Sequence, residues 1–380
     1  MSTLALLTSE FAPFSGGVGT YARELAVAAQ HAGHQVTVLA PDYGSDQSAL
    51  DATFPFRVIR YAGNTADMKS LPTRVQVTRR LLMRERFDVV HAIDWPFFIP
   101  VALAPRHGAH TLLTVHGTEI IYMQEVKRRL MLRLIGFWSK GWASWIGNSQ
   151  YTTDLLLRAF PQIDTADVRA IPLAVGDDWR ERRVPRHVAR GRWGLTSNDL
   201  VIVSLGRVVP RKGHLDLAEA LSQLPECLTK RVCWWVIGPL NEPAHAELLR
   251  ARASALPFDV TFFGGLDAEE VASRLSSADL FCLPGYQDEQ GRVEGFGLVF
   301  LEAAAFGVPS VATHSGGIPE AISDGETGIL VPERDPAALA DALTRVLADD
   351  RLRGQLAAGA EARAAAATWA HVAHETYGNN

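Results

Sequence analysis

Short runs of Val, Ile and Leu alternate with longer segments of helical periodicity along most of the chain, the pattern of βαβ units feeding a parallel sheet. The strands predicted in the first half are Leu4 to Thr8, Gln35 to Ala40, Phe56 to Arg60, Val89 to Ala92, Thr111 to Val115 and Trp145 to Ile146. Helices fill the gaps, among them Val18 to Ala32, which Gly33 ends as a C-terminal cap. After Ile171-Pro172-Leu173 the alternation lapses into an Arg-rich, strand-poor stretch, Ala174 to Asn198, and then restarts. The second-half strands are Val201 to Leu205, Val232 to Ile237, Val260 to Phe263, Leu280 to Leu283, Ser310 to Ala312 and Ile329 to Val331, and from Asp335 onward the chain reads as Ala-rich helix. The pattern predicts an α/β protein of two Rossmann-like doubly wound domains, 1–174 and 199–360, with a linker at 175–198 and a C-terminal helix within 361–380.

The length of 380 residues fits two domains of ordinary size, so the chemistry is expected in a cleft between them. An apolar fraction of 47% and a charged fraction of 21% belong to a globular chain, and a net charge of −5 gives no basic field to attract nucleic acid. The N-terminus lacks a basic leader, and no run approaches the roughly 18 apolar residues of a membrane span, so the expectation is a cytoplasmic protein. Cys227, Cys233 and Cys282 match no metal spacing and read as buried, reduced thiols.

Two constellations carry chemistry. Val293-Glu294-Gly295-Phe296-Gly297-Leu298 follows a predicted strand and leads into a helix starting near Gly297, whose free first-turn N–H groups make an anion site. Glu294 and Glu302 sit in this otherwise apolar, glycine-rich segment, where a carboxylate without a function is costly and where its acceptor sites suit pairs of hydroxyls. Gly206-Arg207-Val208-Val209-Pro210-Arg211-Lys212-Gly213 places cations at the carboxyl end of another parallel strand, the edge where such sheets bind ligands.

The two glutamates with seven residues between them, followed by Ser315-Gly316-Gly317-Ile318-Pro319-Glu320 and Asp324-Gly325-Glu326-Thr327-Gly328, resemble the retaining glycosyltransferases of family 4. The resemblance implies the GT-B arrangement of two facing Rossmann-like domains, an N-terminal domain for the acceptor and a C-terminal one for a nucleotide sugar, with the last helix crossing back to the first domain. It implies transfer of a hexose from a UDP- or GDP-sugar to an acceptor hydroxyl of a glycan, lipid-linked or small molecule, with retention. By the same resemblance Glu294 binds hydroxyls of the transferred sugar and Glu302 holds the ribose. The backbone of Phe296, Gly297 and Leu298 faces the diphosphate and sugar, and Arg207 and Lys212 clamp the diphosphate. No Asp-x-Asp pair occurs, so the two cations are expected to replace a divalent metal, with no cofactor required. Base recognition is expected near Phe263, from backbone.

In the first half, Gly16-Gly17-Val18-Gly19 joins the first strand to the first helix. With Asp42 it approaches a dinucleotide fingerprint, which supports a nicotinamide-dependent oxidoreductase as the alternative but leaves the paired glutamates unexplained. The resemblance instead sets Gly16 and Gly17 against the donor diphosphate and His116 against the donor sugar. It makes Asp94, in Asp94-Trp95, and Glu119 the acceptor-side candidates, with Asn148-Ser149 at a further strand end. A non-catalytic sugar-binding protein is the third reading, which donor turnover would exclude. The segment 126–145 combines Lys127, Arg128, Arg129, Arg133 and Lys140 with Leu134, Trp138, Trp142 and Trp145 at helical spacing. It reads either as a basic amphipathic helix on an anionic membrane face or as a helix packing its aromatic stripe inward.

Overall fold

A computed structural model describes residues 1–378 other than 15, 65–68, 106 and 140. The chain divides into two units, Met1–Leu173 together with the segment from Trp369 onward, and Ala174–Thr368. Each is a parallel sheet covered by helices.

The first sheet consists of β1 (Thr3–Leu7), β2 (Gln35–Pro41), β3 (Arg57–Tyr61), β4 (Val89–Ala92), β5 (His110–Val115), β6 (Ser144–Gly147) and β7 (Val168–Ala170), in the order β3-β2-β1-β4-β5-β6-β7. Every pairing is parallel. All strands therefore end at one edge, and the order reverses between β1 and β4, the place where sheets of this kind bind ligands. Leu4 to Leu7 and all of β4 are buried, as strands covered on both faces must be.

The second sheet contains β8 (Leu200–Leu205), β9 (Val232–Ile237), β10 (Val260–Gly264), β11 (Leu280–Cys282), β12 (Ser310–Thr313) and β13 (Gly328–Val331), ordered β10-β9-β8-β11-β12-β13 and parallel throughout. Its reversal lies between β8 and β11. The Trp234 indole N–H donates to Ser204 Oγ at 3.0 Å, and that hydroxyl donates to the Cys282 carbonyl at 2.6 Å, so one buried polar chain crosses three adjacent strands.

Four readings of the sequence change. Strand β7 was not anticipated: it has three residues, Arg169 sits at its centre, and none of the three is fully buried. The stretch 175–198 is no bare linker, because it holds the helices Asp177–Glu181 and Arg186–Arg192 and its arginines are spent on the second unit. Arg180 donates to the Ala364 carbonyl, Arg182 pairs with Glu269 at 2.8 Å, and Arg183 pairs with Glu361. Arg186 and Arg190 both reach the buried carboxylate of Asp279, at 2.5 and 3.0 Å. The segment 126–145 is not one helix. A helix covers Val126–Leu134 and stops, and Trp138, Trp142 and Trp145 turn inward around Phe137, with ring centroids 5.1 to 5.9 Å away. Lys140 lies outside the described residues. Finally, Cys227 is exposed rather than buried. Among the described residues no helix is long and apolar enough to cross a membrane.

Candidate functional site

The second unit gathers charge where β8 and β11 end side by side. After β8 the chain makes one turn of 3₁₀ helix, Pro210–Lys212, and Gly213 follows at φ +75°, where a Cβ would stand 1.8 Å from the Pro284 carbonyl oxygen. Only glycine fits that approach, which seats the β8 loop directly on the β11 loop. Tyr286 N–H donating to the Arg211 carbonyl at 2.9 Å adds a second tie. On the other side, a Cβ on Gly317 would lie 2.0 Å from the Gly295 carbonyl oxygen, and Gly317 N–H donates to the Glu294 carbonyl at 2.9 Å. The glycine pair after β12 therefore fixes the backbone that carries Glu294.

Within that frame Lys212 Nζ and Glu294 Oε2 form a close ion pair, and Arg211 stands 3.8 Å from the same oxygen. Lys212 is buried and the Glu294 side chain is 22% exposed. Burial alone would raise the Glu294 carboxyl, but Lys212, Arg211 and Arg207 together outweigh it and hold it below the usual carboxylate range. Arg207 is solvent-exposed.

The helix that follows, Leu298–Ala305, starts on Gly297 in the left-handed region at φ +92°, with no side-chain cap and no acidic residue in its first turn. Phe300 N–H is taken by the Gly297 carbonyl, which leaves the N–H groups of Leu298 and Val299 for an anion. Phe296 is buried beneath this turn, and Glu302 sits one turn further in, 8% exposed. Phe263 lies one residue before the end of β10, but its ring packs against Trp235 at 5.8 Å and under the Arg274 guanidinium at 4.0 Å, so its side chain is committed to the fold.

In the first unit, Asp94 follows β4 and meets Ser9, which follows β1. Ser9 N–H donates to Asp94 Oδ2 at 3.0 Å, and the Ser9 hydroxyl donates to the same oxygen. The carboxyl is 5% exposed, and burial pushes it up to about 7 against the pull of the Ser9 bonds, with Glu10 adding to the rise and Arg74 opposing it. Trp95, next in sequence, lies under the Arg128 guanidinium at 5.4 Å, and Tyr122 shares that cation at 5.0 Å. His116 follows β5. Its Nε2 is 2.9 Å from the Ile93 carbonyl, which can only accept, so Nε2 bears a proton and Nδ1 is the nitrogen that this bond leaves open. Glu119 is buried and turns its carboxylate back onto His116 N–H, holding the loop. Gly16 precedes the helix Gly17–His31, and a Cβ there would fall 2.5 Å from Glu10 Oε2, while Gly17 is open. Ser149 caps the helix Gln150–Ala159 by accepting from Thr152 N–H at 3.0 Å, and Asn148 accepts from the Thr152 hydroxyl. Asp42, the residue that favoured a dinucleotide fold, accepts from Gly44 N–H at 2.9 Å in its own turn.

Sequence reasoning missed Arg211 and Ser9. Arg211 was visible as a third cation in the motif, but only the tilt of the 3₁₀ turn shows that it faces Glu294. Ser9 had no local signal, because its partner is 85 positions away and becomes a neighbour through the β1–β4 pairing.

The Asp94 carboxyl sets a pH test. Its folded pKa lies above its unfolded one, so between about pH 4 and 7 the folded chain keeps a proton that the unfolded chain releases, and stability falls as pH rises through that window. The slope is at most about 1.4 kcal/mol per pH unit. Asp94→Asn should abolish this component, so its melting temperature relative to wild type is expected to climb from pH 5 to pH 8. Parallel melting curves across that range would show the Asp94 carboxyl to be ionised throughout.

Residues 15–179 match the family described as Glycosyltransferase Family 4, and residues 185–363 match Glycosyl transferases group 1. The GDP-mannose-dependent alpha-(1-6)-phosphatidylinositol monomannoside mannosyltransferase of Mycobacterium tuberculosis is 33% identical over 378 residues, 95% of this chain and 93% of that protein. Phosphatidyl-myo-inositol mannosyltransferase of Mycobacterium leprae is 31% identical over 91% of this chain and 88% of its own. Among solved structures, sucrose-phosphate synthase from Thermosynechococcus elongatus has a TM-score of 0.78 at 23% identity, covering 99% of this chain and 97% of that one. HepE of Anabaena, bound to UDP and glucose, has a TM-score of 0.78 at 18% identity, covering 100% and 99%. The structural likenesses carry the fold, the sequence relatives carry the family, and together they make this chain a member of glycosyltransferase family 4 with the GT-B fold.

Proposed function

We propose that this glycosyltransferase moves a mannosyl group from GDP-mannose to a ring hydroxyl of a phosphatidylinositol-type glycolipid, with retention of configuration and without a bound metal ion. The observation that carries the reading is the cation cluster of Lys212, Arg211 and Arg207 around Glu294 at the β8–β11 edge. The donor and acceptor classes rest on the relatives' names.

A diphosphate is a stronger anion than one carboxylate, so on binding it draws Lys212 away from Glu294 and frees that carboxylate to accept hydroxyls of the transferred sugar. Arg207 and the first-turn N–H groups of Leu298 and Val299 meet the same anion, and Glu302 serves the ribose. As the bond from the sugar's C1 to the β-phosphate oxygen breaks, negative charge grows on the departing nucleotide, where fixed cations lower the barrier. The acceptor oxygen bonds to C1 from the same face, and its proton passes to the departing phosphate, giving GDP and the glycoside. In the first unit, Nδ1 of His116 accepts from a substrate hydroxyl, and Asp94, in the crevice beside β1, serves the acceptor.

The helix Val126–Leu134 supports contact with a lipid surface. Val126, Leu130 and Leu134, four residues apart, are 83%, 57% and 78% exposed and form one apolar stripe, with Lys127, Arg129 and Arg133 exposed beside it.

Three measurements follow. GDP-mannose should be turned over while UDP-glucose and NAD are not, and the activity should persist in excess EDTA; a complete loss that magnesium restores would overturn the role given to the cations. Lys212→Ala should lower kcat by about 10²- to 10³-fold, whereas Glu302→Gln, acting on the ribose far from the reacting carbon, should chiefly raise the donor KM. Flotation with phosphatidylglycerol vesicles should carry the wild-type protein upward and leave a Leu130→Glu, Leu134→Glu double variant behind at an unchanged melting temperature. A wild type that stays at the bottom would remove the membrane contact.

A further inference from the structure

His116 is restrained at two atoms by its own neighbourhood, through Nε2–H to the Ile93 carbonyl and through its backbone N–H to Glu119. A ring held by one hydrogen bond still pivots about it. What blocks the pivot is Tyr21, on the helix Gly17–His31, whose ring meets the imidazole edge-to-face with centroids 5.1 Å apart and planes at 81°. We propose that Tyr21, backed by the last helix of the chain, is a positioning residue that holds the His116 ring in the orientation the transfer reaction uses. The inference rests on the reading of His116 as a substrate-contacting residue.

The geometry around Tyr21 is that of a side chain held from several directions. It is 1% exposed. Trp369, at the start of the helix Trp369–Tyr377, packs against its ring at 5.7 Å and 69°. The Tyr21 hydroxyl stands 3.4 Å from Thr114 Oγ1, and Thr114 is itself bonded to His91 Nε2 at 2.7 Å. The other nitrogen, His91 Nδ1, reaches the Tyr377 hydroxyl at 2.8 Å. The last helix therefore reaches Tyr21 twice, through Trp369 onto its ring and through Tyr377, His91 and Thr114 onto its hydroxyl. The hydroxyl contact is long, so the ring carries the restraint. Edge-to-face pairs are directional as well as attractive, which is what fixing a ring plane requires.

Removing the ring should free the imidazole to swing, and displacements of about 1 Å at a reacting group cost on the order of 100-fold in rate. In the full-length enzyme Tyr21→Phe is expected to stay within about twofold of wild type, since it loses only the long hydroxyl contact. Tyr21→Leu should lose kcat by roughly 10- to 100-fold, with GDP affinity and donor KM unchanged. Trp369→Leu should lose kcat to a lesser degree, and Trp369→Phe should restore it; this pair carries the test should Tyr21→Leu fail to fold. A role confined to core packing would lower the melting temperature of Tyr21→Leu and Trp369→Leu while leaving kcat per folded molecule at the wild-type value, and that result would overturn the proposal. His116→Ala separates the two levels. If it keeps full kcat, the reading of His116 fails and the positioning role with it; if it is inactive while the Leu variants are normal, the positioning role alone fails.

Discussion

Glu294 carries its charge where water reaches only about a fifth of its side chain, and the loops of the second unit are arranged around balancing that charge. An isolated carboxylate there would protonate or force the segment open. Three cations prevent this, all from the loop after β8, and they can act only because that loop is pressed against its neighbour. Gly213 against Pro284 seats it there, and Gly317 against Gly295 fixes the facing backbone that carries Glu294, each approach closer than any side chain would allow. Truncating one partner of a buried pair typically costs about 3–5 kcal/mol, a cost that Arg211 and Arg207 reduce here by remaining beside Glu294.

The first unit solves the opposite problem. Asp94 is buried on the hydrogen bonds of Ser9, and burial outweighs these bonds and the pull of Arg74, so its carboxyl is raised to about 7. The two switch points therefore differ in kind. One is a fixed charge cluster suited to phosphate. The other is a nearly neutral, hydrogen-bonding crevice suited to hydroxyls. The proposed division of labour between a charged donor and an uncharged acceptor would draw on that contrast in electrostatics.

Twelve strands were legible as short apolar runs, the interior ones because a strand covered on both faces must be apolar. Strand β7 lies at a sheet edge, where Arg169 interrupts the run and the signal is lost. The Arg-rich stretch before β8 was misread because composition cannot show that an arginine has a partner; Asp279, which takes two of them, is some 90 positions away. The same limit applies to the tryptophans after Leu134, whose helical spacing holds although the helix does not, since Gly136 turns the chain at φ +67°. The Glu294 and Glu302 pair was legible from spacing and surroundings. That Lys212 closes on Glu294 in the absence of donor was not, because it depends on two strand-end loops meeting in space.

Because the first unit comprises Met1–Leu173 and the segment from Trp369 onward, its sequence is interrupted by the whole of the second. On the ribosome, the unit that emerges first is completed last. Until Trp369 and Tyr377 arrive, Tyr21 and His91 lack the partners that the last helix brings them. Synthesis of the second unit thus takes place while the first lacks one of its helices, a window in which chaperones can act on the partly folded chain.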